Sequence, residues 1–157
     1  MSIGRADMNA MSLDAAWREF SAGVASALSC LPAGAYLVLN ASEGRYARFH
    51  MHTSVFLWCE IVYNDQLVEE RRMPERFEAF LQEQDWAAPV DGQSVNWHRL
   101  VAWPVPFCAY EMIADHVSVA LCQGLRVADP IELDVDAWIQ GSNETFDITA
   151  LTAVIED

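Results

Sequence analysis

The sequence predicts an α+β fold: an antiparallel sheet flanked by helices, in the element order α-β-β-β-α-β-α-β. Three observations carry this reading. The chain opens on an apolar stripe of three- and four-residue steps, and three strand-like segments follow at short spacing. Later strand-like segments then alternate with two more helical ones. A chain of 157 residues that is 53% hydrophobic and 20% charged suits one domain with its own core. Residues 1–11 read as a flexible tail and residues 12–157 as that single domain.

The elements follow in order. Ser12 is placed to cap the first helix, with Asp14 in its first turn near the positive end of the dipole. Trp17, Phe20, Val24, Leu28 and Leu31 form its apolar stripe, and Pro32 and Gly34 stop it. Residues 36–39 form a short buried run closed by a turn at 40–44. From Arg45 to Met51 the pattern alternates, with Ala47, Phe49 and Met51 on one face and Tyr46, Arg48 and His50 on the other. Residues 55–63 are apolar on both faces apart from Glu60, which predicts a central strand covered on both sides. These three strands read as an antiparallel meander. Pro74 fits the start of a second helix whose core side is Phe77, Phe80 and Leu81. Residues 95–103 alternate again as a fourth strand. Pro104 and Pro106 end it and open a third helix, for which Gly124 is the C-terminal stop. Ile131, Leu133 and Val135 alternate with acids as a last strand, and residues 145–155 fit either a strand or a short helix.

Charge narrows the partners. The formal net charge is −14, and all nine cationic side chains are arginine, none of them beyond Arg126. Phosphate backbones and anionic lipid surfaces repel such a chain, so neither nucleic acid nor membrane is an expected partner. No apolar run reaches the roughly 18 residues of a membrane span, and residues 1–11 lack the apolar core of an export signal. The expected location is cytoplasmic. Cys30, Cys59, Cys108 and Cys122 lie in apolar runs without any CxxC pair, so they are expected to be buried free thiols.

Catalytic and metal motifs are weak. His50 and His52 share one face of a strand, a spacing that metal ligands use, but no local third ligand accompanies them, so the pair reads as two half-exposed histidines at a strand end and no metal is expected. The sequence has no GxSxG, Walker loop, GxGxxG or HExxH, so neither an enzyme nor a cofactor is expected. The six tryptophans are more informative, because some must pack the core while others remain for a partner. Phe56, Trp58, Trp97 and Trp103 are the residues expected to contact that partner. The acidic stretch from Asp129 either keeps the domain soluble or attracts a basic segment.

Several short runs occur in a characteristic order: Tyr46-Ala47-Arg48-Phe49, Glu60-Ile61-Val62-Tyr63-Asn64, Leu81 ahead of Asp85-Trp86-Ala87-Ala88-Pro89, then Asn96-Trp97. In this the chain resembles the TY-Chap family, domains related to type III secretion chaperones and YbjN proteins, over roughly residues 17–138. One departure stands out. The family usually has glycine before the third run's tryptophan, where this chain has Asp85, a residue that tolerates the left-handed conformation. The resemblance implies a helix–sheet–helix sandwich that binds a client protein or peptide segment, a homodimer, and no catalytic residues to carry over. The alternative reading is an acidic immunity or antitoxin-type inhibitor of a basic partner, led by charge instead of apolar contact.

Overall fold

The computed structural model describes residues 12–52, 55–92, 94–102 and 105–156. Helix α1 (Ala15–Ser29) starts at Asp14, whose carboxylate accepts the Trp17 N–H at 3.0 Å. Asp14 is therefore the cap itself, two residues after the expected Ser12, because its extended backbone aims the carboxylate at the third helical N–H. Trp17, Phe20, Val24 and Leu28 are fully buried, as their spacing predicts. Gly23 on this helix has a packing role. A Cβ there would lie 2.9 Å from the Ala150 carbonyl oxygen, so only glycine lets the last helix approach this closely.

The sheet consists of β1 (Ala35–Asn40), β2 (Tyr46–His52), β3 (Phe56–Ile61), β4 (Trp97–Ala102) and β5 (Asp134–Ile139). Its order is β4-β3-β2-β1-β5, with every neighbouring pair antiparallel. The meander is borne out, and β5 returns to pair with β1. Alternate residues of β1 to β3, Ala35, Leu37, Leu39, Ala47, Phe49, Met51, Leu57, Cys59 and Ile61, are buried in one cluster with the apolar faces of the helices. The other set is mostly half-buried or exposed. The expected sandwich is thus covered by helices on one face only. β3 is correspondingly not sealed on both sides, because its apolar outward residues, Phe56 and Trp58, belong to the uncovered face.

Helix α2 (Glu75–Glu83) ends in a Schellman motif. The Trp86 N–H bonds the Leu81 carbonyl at 2.9 Å, the Asp85 N–H bonds the Gln82 carbonyl at 3.2 Å, and Asp85 takes φ 68°. Asp85 therefore occupies the left-handed position for which the family's glycine is suited. Asp85→Gly is expected to stabilise the fold by roughly 0.5–1 kcal/mol, read as a higher midpoint in urea unfolding.

Helix α3 (Phe107–Val119) runs on into a π-helical turn, Ala120–Gly124, closed by the Leu125 N–H on the Ala120 carbonyl at 2.7 Å. The segment 130–132 is a 3₁₀ turn where a strand was expected. The strand begins only at Asp134, because Pro130 and the Asp129–Glu132 capping box hold the preceding residues in a turn. The ambiguous C-terminal stretch folds as helix α4 (Thr149–Glu156), which packs with α3 against α1 and adds one helix to the expected order. All four cysteines are free, but only Cys59 is buried; Cys30 and Cys108 are exposed, because the apolar runs around them lie at element ends. The expected tail at 1–11 lies outside the described residues. Among the described residues, no helix is long and apolar enough to cross a membrane.

Candidate functional site

The uncovered face of the sheet is built by strand parity. Each pairing register brings one outward residue per strand into a row, and one row crosses all five strands: Leu100, Trp58, His50, Tyr36 and Trp138. Its rings touch. Tyr36 stacks on His50 with centroids 4.0 Å apart and on Trp138 at 5.0 Å. Trp58 stacks on His98 at 5.1 Å, and Phe56 stacks on His52 in the next row at 4.9 Å. The two ends of the row are the most open, with Leu100 55% and Trp138 43% exposed. An apolar, aromatic strip this continuous on a one-sided sheet is an interaction surface in physical terms, since every ring on it loses water contact when covered.

A polar cluster borders this strip. Arg48 of β2 pairs through Nε and Nη2 with one oxygen of Glu60, its cross-strand neighbour on β3. The other oxygen of Glu60 accepts from Ser94 Oγ at 3.2 Å and from Asn96 Nδ2 at 3.3 Å. Asn96 Nδ2 also donates to the Tyr46 hydroxyl at 2.8 Å, and Gln66 Nε2 donates to Asn96 Oδ1. Glu60 is only 5% exposed, so this satisfaction is what makes a buried carboxylate tolerable there. Together with Tyr63, Asp65, Gln66 and residues of the 89–92 and 94–95 segments the pair lines an open cleft of about 560 Å³. Tyr46, Arg48, Glu60 and Asn96, which carry the family likeness in separate runs, are thus one hydrogen-bonded unit.

The four residues expected to contact a partner separate in space. Phe56 and Trp58 lie half-buried on the uncovered face. Trp97 pairs with Ile61 and points to the helices, where it is 2% exposed, so its ring belongs to the core. Trp103 lies outside the described residues. Sequence reasoning missed Tyr36, Leu100 and Trp138. Tyr36 sits in a run that reads as buried, although its parity opposite to Leu37 and Leu39 is a usable signal. His50 and His52 are side by side on the open face, with ring centroids 5.6 Å apart. His50 Nδ1 lies 3.2 Å from the Ala35 carbonyl, and burial pushes its pKa below the usual histidine range. Among the described residues, no group of three His, Cys, Asp or Glu side chains could hold a metal ion.

Fold and face together define a class: a small α+β domain whose helices cover one side of an antiparallel sheet and leave an aromatic side open. A family model matches residues 10–139, and its description is T3SS (YopN, CesT) and YbjN peptide-binding chaperone 3. The chain belongs to this TY-Chap3 family of peptide-binding chaperones. No curated protein and no solved structure matches it.

Proposed function

We propose that this protein is a chaperone that holds an extended segment of a client protein across the uncovered sheet face, serving secretion where the client is exported. The observation that carries the reading is the five-strand row from Leu100 to Trp138, with His50 at its centre, Trp58 and Tyr36 on either side of it, and Phe56 in the neighbouring row. An extended segment laid over this row would cover the rings with its own side chains and gain stabilisation from the apolar area buried. Family membership supports a peptide-binding role, and a homodimer as the working unit is part of the proposal.

The test is peptide binding by the full chain. Fluorescently labelled, unstructured ten-residue peptides rich in Leu and Phe should bind, and Phe56→Ser/Trp58→Ser should weaken binding by about a hundredfold, from the loss of two aromatic contacts. Helical circular dichroism should stay unchanged, because both side chains stand outside the helix-covered core. Binding should also persist in high salt, since apolar contact is not screened. The rival reading, an inhibitor led by the acidic surface, requires binding that collapses in high salt and ignores the double substitution; that result would replace the chaperone reading.

A further inference from the structure

The charges on the uncovered face are unbalanced in a way that specifies its occupant. Its outward positions hold one cation, Arg48, which is already engaged by Glu60. At the other side of the sheet, β5 turns Asp134, Asp136 and Trp138 outward in succession, opposite Asn40, Val38 and Tyr36 of β1. All three are exposed. Asp136 accepts only a weak bond from Asn40 Nδ2, at 3.3 Å, and neither aspartate forms an ion pair among the described residues. The stacked rings of Trp138 and Tyr36 therefore lie next to the carboxylate of Asp136, which has no cation, with Asp134 one outward position further along β5.

We infer that the β1–β5 half of this face selects an arginine of the client segment, its guanidinium lying flat on the Trp138 ring and paired with Asp136. The inference rests on the peptide-binding reading and adds the chemistry of the client to it. Arginine fits this place better than lysine: a planar guanidinium stacks on an indole and still presents a donor fork to a carboxylate. Apolar neighbours of that arginine then reach Tyr36 and Trp58 along the row. The net charge of −14 favours such a client and opposes a second copy of this chain on this face, where it would bring its own Asp134 and Asp136 to the contact.

Two labelled peptides of identical apolar sequence test this, one with a central arginine and one with the neutral isostere citrulline, both titrated with the full chain. The arginine peptide should bind about tenfold more tightly in low salt, the size expected of one stacked and paired cation. Asp134→Asn/Asp136→Asn, or high salt, should erase that advantage while leaving citrulline-peptide binding in place, and Trp138→Leu should reduce it. Equal affinity of the two peptides, with Phe56→Ser/Trp58→Ser still weakening both, overturns the arginine assignment and spares the chaperone reading. Failure of both peptides to bind overturns the inference and the chaperone reading together. Sedimentation that finds a dimer which Trp138→Leu splits, and which neither peptide competes with, assigns the face to a second copy and overturns the inference.

Discussion

Arg45→Met should destabilise the fold by about 4 kcal/mol, the largest loss expected of any single polar substitution here. Arg45 stands where the turn after β1 enters β2, and it is 3% exposed. Its Nε donates to the Ser42 carbonyl at 3.0 Å and its Nη2 to the Ser42 hydroxyl at 2.9 Å. Nη1 reaches the Leu125 and Arg126 carbonyls at 3.0 and 3.2 Å, at the end of the π-helical turn. One side chain thus ties the β1–β2 hairpin to the C-terminal end of α3, where the helix dipole also favours a cation. Methionine would fill much of the space but leave those buried carbonyls without donors. Urea unfolding should show the loss as a lower midpoint with an unchanged slope. Arg45→Lys should recover less than half of it, since one ammonium cannot span acceptors on both segments. A methionine variant within 1 kcal/mol of the parent, on the order of an ordinary surface substitution, would sink this account.

Acid should destabilise the protein through His116. This histidine of α3 is buried, and its Nδ1 accepts the Trp86 indole N–H at 3.1 Å, with Phe80 edge-on to the ring. Burial, with the nearby positive charge of Arg99, pushes its pKa down from 6.5 to about 4; Asp115 and Asp85 oppose that shift only weakly. The folded pKa is depressed, so the unfolded chain takes up the proton first. The contribution is therefore fully present above pH 6.5 and is lost as the pH falls toward about 4. The loss reaches roughly 3 kcal/mol at the lower end of that window, by the linkage between the two pKa values. His116→Gln retains an acceptor for Trp86 but cannot titrate there. The difference in unfolding free energy between parent and variant should therefore shrink or reverse between neutral pH and pH ~4.5. Parallel pH profiles for the two proteins would show that His116 does not carry the acid response.

Parity made much of the site legible before the fold was known, and its limits are instructive. Ala47, Phe49 and Met51 alternate cleanly, so the core face of β2 follows from the sequence, and with it the outward position of Arg48 and His50. The same parity places Arg45 on the core side, an arginine among apolar residues, which was the available sign of a buried cation. β3 offered no such contrast. Its outward Phe56 and Trp58 are as apolar as its inward Leu57 and Cys59, so period two could not separate a strand sealed on both sides from one with an aromatic open face. Trp58 and Trp97 looked equivalent for the same reason.

By itself the sequence determined the α+β class, the helix stripes, the meander, the acidity and the family likeness, because each depends on local periodicity or on residue type. Tertiary structure alone decided which tryptophan lies on the open face. Pairing Trp97 with Ile61 and Trp58 with Leu100 sends the two indoles to opposite faces, and only the placement of every helix on one side makes one face core and the other open. It also decided that β5 joins the sheet next to β1, which puts Trp138 opposite Tyr36 and Asp136 at the next outward position. The pairing of residues about a hundred positions apart is a contact of the folded chain, set by burial and strand register, and nothing local in the sequence specifies it.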